Sequence, residues 1–498
     1  MNAPKHAGWD LFGRDRARLG DMLSEWIAAR RWFKSRTRTR VGADVIEVVP
    51  VGPLSAAFVR IVFADGGQEV YIVPLAEATG AEAERVRRDD AQAVILDDHD
   101  SLVHEAPAAF AEAMIDAMRE SRELRGTHAA LRGRPGVVDL GGLPKAEVGR
   151  AEQTNTAVRF GQRVIMKIYR STVAGPNPEV EILRFLAREG ARHEQVPTPK
   201  LAGEVDLVDD RGGQAAVAMA QTFVESRGDA WQATLFALSS LLEQARGAPS
   251  DAALAGEIAR ARKLGARTAA LHRALSSPSE DPAFTPEPAS PADLSAMIAV
   301  ARASLEHMVS ALRKTKLPDE SHAAAARLLA HAGDLDARLV EAGRLPIAAF
   351  RTRVHGDYHL GQVLVTPEDD LVIIDFEGEP ARSLEERRRK GLAVRDVAGM
   401  LRSFDYAAVT ALRAAREPER ARPWIDAWRR AVSDAFVAAW REGVAGSPAA
   451  PADDRDSRAL LDLFLIEKAV YEVGYELDHR PTWVSIPIEG LLSLLEAR

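Results

Sequence analysis

Three polar side chains flank two short apolar runs. Asp357 and Gln362 precede the run 363–365, and Asp375 follows the run 371–374. The sequence Thr-Pro-Glu-Asp-Asp between the runs is typical of a turn, so the two runs are predicted to pair as a β-hairpin. Such a hairpin would bring carboxylate and amide oxygens to one end of a rigid element.

Carboxylate and amide oxygens at this spacing are typical of phosphoryl transfer from ATP. In protein-kinase-like enzymes one Asp orients and deprotonates the attacking hydroxyl, an amide follows it by five positions, and a second Asp follows the next strand. Asp357 is therefore predicted to be the catalytic base, with Gln362 and Asp375 as Mg²⁺ ligands. A single Asp would more simply cap a turn or join a surface ion pair. Three residues with the spacing found in kinases favour a phosphoryl-transfer site instead.

The phosphates of ATP also need a cation, and the apolar strand pattern 164–169 contains Lys167. A lysine buried in a strand without a partner is costly, so Lys167 is predicted to pair with phosphate and with a helical carboxylate. Glu181 is the first candidate for that carboxylate and Glu179 the second, because the two point to different faces of the helix predicted over 178–188. The alternative is an edge-strand lysine that reaches water.

The sequence around these residues resembles the maltokinases, within the aminoglycoside-phosphotransferase-like superfamily of small-molecule kinases. The resemblance rests most specifically on HGDYHLGQVL at 355–364, IDFEGEPARSLEERR at 374–388 and RDVAGMLRSFDYAA at 395–408. It extends to both ends of the chain. It implies an α+β, bilobal protein-kinase-like fold with an N-terminal α/β cap and a mostly helical C-terminal lobe.

This resemblance implies that the protein uses ATP and Mg²⁺ to phosphorylate maltose at its anomeric hydroxyl, in trehalose- and glycogen-type α-glucan metabolism. It also implies a trehalose synthase as a candidate protein partner. Three domains are expected: a cap over residues 1–130, a lobe that binds the nucleotide phosphates over 131–225, and a helical lobe with the catalytic, metal and sugar sites over 226–498.

Further ATP contacts are expected at two places. One is a polar loop, which replaces the glycine-rich phosphate loop of protein kinases. The other is the hinge, where kinases contact adenine. The residues assigned to the loop and the hinge are Thr154, Asn155, Thr156, Gln221, Phe223 and Val224. The polar loop also includes Glu152 and Gln153. His355 is expected to brace the catalytic loop, which is the loop that carries Asp357. Glu377 is expected to be an additional ligand of the metal or phosphate site.

The acceptor sugar is predicted to lie against a C-terminal helix with a stripe of polar and aromatic side chains at helical spacing. Aromatic rings pack on the apolar faces of sugars, and charged groups bind their hydroxyls. The residues predicted to contact the sugar are Lys468, Tyr471, Glu472, Tyr475, Glu476, Arg480 and Trp483. The alternative is a helix that docks through its aromatic rings and leaves its charges in water, and the resemblance to maltokinases favours sugar contact.

The composition argues against several other classes of protein. The 498-residue chain has a formal net charge of −8, which disfavours nucleic-acid binding. It contains no cysteine, so disulfides, thiolate catalysis and cysteine-ligated zinc are excluded. Without a signal-peptide core or an 18-residue uncharged apolar run, we expect no membrane span and a cytoplasmic location.

Three other functions fit parts of the pattern. The nearest is a kinase of the same fold that acts on glucosamine or another sugar. A non-catalytic kinase-like module that binds an enzyme of trehalose metabolism is disfavoured by the presence of Lys167, Asp357 and Asp375. A glycosidase using Asp375 and Glu377 is disfavoured because two strand residues at i and i+2 lie about 6.6–7 Å apart, too close to flank a glycosidic bond comfortably.

Overall fold

The computed structural model describes residues 16–149, 154–189, 196–344 and 348–496. The chain divides into two compact units. The first comprises Met1–Arg188 and Pro199–Glu225, and the second comprises Glu189–Thr198 and Ser226–Arg498. The short stretch Glu189–Thr198 therefore belongs to the second unit, although it lies between two stretches of the first.

The first unit contains two antiparallel sheets and four helices among its described residues. One sheet has the order β1-β2-β3-β5-β4, with β11 paired to β3, and the other has the order β6-β7-β12-β13-β10-β9-β8. The elements are α1 (Arg16–Ala28), β1 (Arg40–Val51), β2 (Leu54–Phe63), β3 (Gln68–Thr79), α2 (Gly80–Asp89), β4 (Val94–Asp97), β5 (Ser101–Glu105), α3 (Pro107–Arg119), β6 (Glu123–Arg125), β7 (Ala129–Pro135), β8 (Ala146–Val148), β9 (Asn155–Phe160), β10 (Val164–Tyr169), β11 (Ser171–Thr172), α4 (Pro178–Glu189), β12 (Leu201–Asp209) and β13 (Gln214–Thr222).

The main core of the first unit surrounds α3. This helix begins at Pro107, whose fixed backbone angle suits the first turn, and buries Phe110 and Met114. These side chains pack in one cluster with residues of both sheets, including Phe58 of β2 and Met166 of β10. Burial of this apolar surface is the main force that holds the two sheets together.

Strand β10 is a central strand of the seven-stranded sheet, because it pairs with β9 on one side and β13 on the other. Successive side chains of a strand point to opposite faces. Met166 and Ile168 lie in the core on one face, so Lys167 projects from the other. The register places Lys167 opposite Ala157 of β9 and Met219 of β13.

The second unit is mostly helical, with two short antiparallel pairs, β14-β15 and β16-β17. Its elements are α5 (Ala230–Gln244), α6 (Asp251–Leu275), β14 (Glu287–Pro288), α7 (Pro291–Lys314), α8 (Asp319–Ala330), α9 (Ala332–Ala342), β15 (Phe350–Arg351), β16 (Val363–Val365), β17 (Leu371–Ile373), α10 (Leu384–Arg388), α11 (Val394–Ala414), α12 (Pro418–Val444), α13 (Asp454–His479) and α14 (Ser485–Glu496).

The predicted hairpin is confirmed, since β16 and β17 pair antiparallel from Val363 with Ile373 to Val365 with Leu371. The Ile373 amide also donates to the carbonyl of Pro197 at 2.7 Å. This bond attaches the stretch 196–198 to the hairpin within the second unit.

Helices α6 and α12 approach each other closely at two glycines. A Cβ atom at Gly265 would overlap the carbonyl oxygen of Phe436, and one at Gly443 would crowd Ala269 at 2.5 Å. The close approach brings His272 of α6 against Trp440 of α12. No helix in the described part of the chain combines the length and apolarity needed to cross a membrane.

Candidate active site

Lys167 is held by a buried carboxylate in the first unit. Its ammonium donates to both oxygens of Glu179, at 2.8 and 2.9 Å, and the Tyr169 hydroxyl donates to one of them at 3.4 Å. Glu179 is fully buried, while 20% of the Lys167 side chain remains exposed. This geometry corrects the predicted ranking, in which Glu181 is the first candidate and Glu179 the second.

The start of α4 explains why Glu179 is placed there. The Asn177 side chain accepts hydrogen bonds from the amides of Glu179 and Val180, at 2.9 and 3.2 Å, and so caps the helix. A carboxylate in the first turn is favoured by the partial positive charge of the helix N-terminus. Glu181 also lies in this first turn but is only half-buried.

The predicted phosphate-loop residues do not all lie in a loop. Thr154 is exposed, and Asn155 is the first residue of β9. Thr156 lies within the strand, where its hydroxyl accepts a bond of 2.6 Å from the guanidinium of Arg170. Thr156 therefore departs from the expected loop position, and it lines a cavity of about 860 Å³ in the first unit. Glu152 and Gln153 lie outside the described residues.

The predicted hinge residues follow one another at the end of β13. Gln221 is buried in the strand, and Phe223 and Val224 lie just beyond it, half-buried. The Phe223 amide donates to the carbonyl of Arg163 at 2.9 Å, and its ring lies 4.4 Å from the Arg159 guanidinium. The structure thus fixes the backbone of this segment, and its contact with adenine stays a prediction.

Asp357 in the second unit follows two backbone amides that are held by one carboxylate. Asp396 of α11 accepts from the amide of His355 at 2.7 Å and from that of Gly356 at 3.0 Å. Gly356 has a φ of +85°, a conformation that suits glycine. The Asp357 side chain itself remains 23% exposed. Asp396 therefore fixes the backbone immediately before Asp357.

His355 connects the catalytic loop to the end of the hairpin. Its Nδ1 accepts weakly from the Asp357 amide at 3.4 Å, so its Nε2 carries the hydrogen and donates to the Ile374 carbonyl at 2.9 Å. The ring packs between Tyr358 and Phe376, with centroids 5.2 and 5.0 Å away. The structure thus connects the segments around Asp357 and Asp375 through the buried side chain of His355, and its role in catalysis stays a prediction.

Gln362 and Asp375 lie in direct contact. The Gln362 side-chain amide donates to a carboxylate oxygen of Asp375 at 3.0 Å, and the Ile374 amide donates to the Gln362 carbonyl at 3.0 Å. Asp375 has a φ of +68°, which is uncommon for a residue other than glycine and frequent at functional sites. A carboxylate and an amide carbonyl are hard oxygen donors of the kind that Mg²⁺ prefers, so the donor set fits this metal.

Lys468 of α13 adds a positive charge beside Asp357. Its ammonium lies 4.0 Å from an Asp357 oxygen and 3.3 Å from Glu379, which also accepts from Arg382 at 2.8 Å. Burial tends to lower the pKa of Lys468, but Glu379 and Asp357 outweigh this effect and raise it. Burial tends to raise the pKa of Glu379, but Lys468 and Arg382 lower it overall. Both groups are therefore charged at neutral pH.

Sequence reasoning missed Glu379 as a site residue. Its position in the run Asp375-Phe-Glu377-Gly-Glu379 could have identified it, since three carboxylates alternate there. Glu377 is half-buried, and its carbonyl accepts from Arg387 at 3.1 Å. Its predicted role at a metal or phosphate site stays a prediction.

The aromatic part of the predicted sugar-binding stripe is exposed on α13. Tyr471 and Tyr475 are 39% and 42% exposed, and their ring centroids lie 6.4 Å apart. The ammonium of Lys468 lies 5.1 Å from the Tyr471 ring. These three residues therefore form one continuous surface that begins beside Asp357.

Glu472 and Glu476 have a different environment from the one predicted. Glu472 accepts from the buried guanidinium of Arg402 at 2.8 Å, and burial raises its pKa. Glu476 is 1% exposed and accepts from Tyr406 at 2.9 Å and from Arg480. These bonds attach α13 to Arg402 and Tyr406 of α11 and occupy both carboxylates. The structure therefore corrects the expectation that these two carboxylates contact the sugar.

Arg480 and Trp483 lie at the end of α13, away from the catalytic loop along the chain. The Trp483 ring stacks on Tyr406 with centroids 6.5 Å apart, and the guanidinium groups of Arg480 and Arg413 lie 5.2 and 5.4 Å from it. Arg480 also pairs with Glu476 through its Nε and Nη2 nitrogens. Their sugar contact stays a prediction.

The fold and these side chains define a class of protein. A lysine–glutamate pair on a central strand and the first helix after it, with an Asp-Gln-Asp set on a loop and hairpin, are the parts of a protein-kinase-like phosphotransferase. The chain belongs to the phosphotransferase enzyme family, whose sequence model matches residues 146–432.

Two curated relatives are similar to this chain in sequence, and a solved structure shares its fold. A glucosamine kinase from Streptacidiphilus jiangxiensis is 28% identical over 351 residues, which cover 70% of this chain and 73% of the relative. A glucosamine kinase from Mycolicibacterium smegmatis is 25% identical over 400 residues, which cover 78% and 88%. A glucosamine kinase structure in complex with glucosamine, ADP and inorganic phosphate matches with a TM-score of 0.67 and 22% identity, over 95% of this chain and 99% of that chain.

These comparisons confirm the predicted kinase-like fold and the phosphotransferase class. The relatives are described as glucosamine kinases rather than maltokinases. Maltose as the acceptor therefore stays a prediction.

Proposed function

We propose that this protein is an ATP- and Mg²⁺-dependent kinase that phosphorylates a hydroxyl group of a small sugar. The observation that carries the proposal is the catalytic loop of the second unit. Asp357 is partly exposed on a loop whose preceding amides are fixed by Asp396, and Gln362 and Asp375 are bonded to each other at the hairpin. A fixed base beside oxygen ligands is what phosphoryl transfer requires of a protein.

Each residue has a separate part in this proposal. Asp357 would orient the acceptor hydroxyl and accept its proton. The Asp375 carboxylate and the Gln362 carbonyl would hold the metal ion, and Lys167 would hold the phosphates. Mg²⁺-ATP, when bound, supplies the phosphoryl group and neutralises its charge during transfer. The remaining predicted contacts with ATP, at 154–156 and 221–224, belong to this proposal as well.

The same proposal gives each predicted domain a role. Residues 131–225 would hold the nucleotide, and residues 226–498 would hold the acceptor and the metal. Residues 1–130 would form a cap that packs on the nucleotide-binding lobe, because α3 shares one core with both sheets.

Maltose is the acceptor that the geometry favours. The Lys468 ammonium lies 4.0 Å from Asp357 and would repel the ammonium group of glucosamine at a nearby position. Glu379, the carboxylate nearest to Lys468, is already paired with Lys468 and Arg382. The exposed rings of Tyr471 and Tyr475 offer a surface for a second sugar ring.

Glucosamine is the second candidate, and the resemblance to two glucosamine kinases favours it. A place in α-glucan metabolism and a trehalose synthase partner would follow only from turnover of maltose.

The test is ADP release with Mg²⁺-ATP against maltose, glucose, glucosamine, trehalose and an aminoglycoside. Wild-type protein should turn over one of the sugars, and Asp357→Ala should lower kcat by about 10²–10⁴-fold. Turnover of glucosamine alone would replace maltose and keep the mechanism. Absence of turnover on every acceptor, by protein that is folded in circular dichroism, would contradict the proposal and favour a non-catalytic binding module.

A further inference from the structure

A chain of three buried side chains ends at the catalytic loop. The indole nitrogen of Trp440 lies 2.9 Å from Nδ1 of His272, and Nε2 of His272 lies 3.0 Å from Oδ2 of Asp396. The three residues are 1%, 1% and 2% exposed. They come from three helices, α12, α6 and α11, so their contact depends on how these helices pack.

The direction of the hydrogen bonds follows from the chemistry of the indole group. An indole nitrogen can only donate a hydrogen bond, so Nδ1 of His272 must accept from Trp440. Nδ1 therefore carries no hydrogen, and the hydrogen of the neutral ring lies on Nε2. That atom donates to Asp396. Trp440 thus selects the one neutral tautomer of His272 that can bond to the carboxylate.

The other bonds of Asp396 reach the loop that carries Asp357. Oδ2 accepts from the His355 amide at 2.7 Å, and Oδ1 accepts from the Gly356 amide at 3.0 Å. Burial tends to raise the pKa of Asp396, but the bond from His272 and the nearby amide outweigh it and hold the pKa below its usual range. The carboxylate therefore stays ionised, and its two oxygens face fixed donors.

We propose that His272 and Trp440 are positioning residues for catalysis: Trp440 fixes the ring of His272, and this ring fixes the carboxylate of Asp396 that orients the loop with Asp357. The inference rests on the proposed function only in the role of Asp357 as the base. Without the donor from His272, the carboxylate could rotate, and both loop amides would follow it. A small displacement of a base is sufficient to slow proton transfer.

The chain offers a matched control for Trp440. Trp428 lies on the same helix and is also 1% exposed. Its indole nitrogen has no hydrogen-bond partner among the described residues. Trp440→Phe and Trp428→Phe therefore remove the same atoms from similar environments, but only Trp440→Phe removes a hydrogen bond.

The first experiment compares these two variants with wild type, using the sugar that wild type turns over. Trp440→Phe should lower kcat about tenfold with little change in the KM for ATP or sugar, because the base is displaced and binding is not. Trp428→Phe should lower the melting temperature by less than Trp440→Phe, because it removes no hydrogen bond, and should leave kcat unchanged. Equal kcat values for both variants would overturn the proposal.

A second pair of variants tests His272. The side-chain amide of Gln can donate from nearly the position of Nε2, so His272→Gln should keep kcat within about threefold of wild type. His272→Leu lacks the donor and should lose at least as much kcat as Trp440→Phe. Full activity of a folded His272→Leu variant would also overturn the proposal.

Two spectroscopic measurements do not depend on turnover. In protein labelled with ¹⁵N-histidine, the His272 signals should show hydrogen on Nε2 in wild type and Trp428→Phe, and a changed state in Trp440→Phe. Amide exchange at His355 and Gly356 should be faster in Trp440→Phe alone. If no sugar is turned over, the proposed function fails, but these measurements still decide whether the three residues hold the loop.

Discussion

Two lysine–glutamate pairs, one in each unit, have the same chemical groups but different surroundings. Lys167 donates to both oxygens of Glu179, which is fully buried. Lys468 lies 3.3 Å from Glu379 and 4.0 Å from Asp357, so it faces two carboxylates. Glu379 in turn has a second cation, Arg382.

The difference shows that two ion pairs of the same chemical type can have different functions. Lys167 is the cation that compensates a carboxylate at the protein interior, so removing it should affect both folding and phosphate binding. Lys468 is shared, and Glu379 keeps Arg382 when Lys468 is removed. Loss of Lys468 should therefore affect the reaction of the acceptor sugar more than the folding of the protein.

The largest effect is expected for Lys167→Met. This change removes the ammonium beside the buried Glu179 and should lower the free energy of unfolding by about 3–5 kcal/mol. It should also lower kcat by about 10³-fold or more, because the phosphates lose their cation. Chemical denaturation and ADP release measure the two losses.

The double variant Lys167→Met with Glu179→Leu separates these two losses. Removal of the buried carboxylate should restore most of the stability but none of the activity. If activity returns with stability, Lys167 has only a structural role and the comparison fails.

A smaller effect is expected for Lys468→Met. The loss of positive charge beside Asp357 should lower kcat/KM for the acceptor by about 10–100-fold and leave the KM for ATP unchanged. Stability should fall by only about 1–2 kcal/mol, because Arg382 still bonds to Glu379. Lys468→Arg keeps the charge and should recover part of the activity. A change in the KM for ATP as large as that for the sugar would argue against an acceptor-side role.

The smallest effect is the contribution of His359 to the pH dependence of the protein's stability. Burial, the largest effect, lowers the pKa of His359 from its ordinary 6.5, and Lys468 lowers it further while Asp357 opposes this. Its Nδ1 accepts from the Gly361 amide at 3.0 Å, which also requires a neutral ring nitrogen. The unfolded chain therefore binds a proton at higher pH than the folded chain, and stability falls as pH drops below 6.5.

His359→Asn is the variant that isolates this contribution. Asn can still accept from the Gly361 amide but does not titrate. The free energy of unfolding, measured without nucleotide or metal, should decline less steeply from pH 7 to pH 5 in His359→Asn than in wild type. In Lys468→Met the slope should be shallower than in wild type, because one cause of the lowered pKa is gone. Identical slopes in all three proteins would show that His359 titrates normally.

Much of the catalytic loop could be predicted because its pattern is local. Apolar runs on either side of a turn sequence define β16 and β17, and Gln362 and Asp375 stand at the ends of these strands. Lys167 stood out as a charge within an apolar strand. These inferences needed only the neighbours of each residue in the sequence.

The partners of the charged residues could not be predicted in this way. Whether Glu179 or Glu181 faces Lys167 depends on how α4 is rotated against the sheet, which packing and the Asn177 cap determine. The spacing on α13 shows that Glu472 and Glu476 share a face, but not that Arg402 and Tyr406, 70 positions earlier, cover it.

The bond between Ile373 and Pro197 has a consequence for synthesis of the chain. Pro197 leaves the ribosome before β12 and β13 of the first unit, but its partner Ile373 emerges 176 residues later. At synthesis rates of about 5–20 residues per second, this interval lasts about 9–35 s. The first unit can therefore be complete at Glu225 while residues 196–198, which belong to the second unit, still lack their partner hairpin. During that interval these residues would be open to proteases for longer than the strands on either side of them.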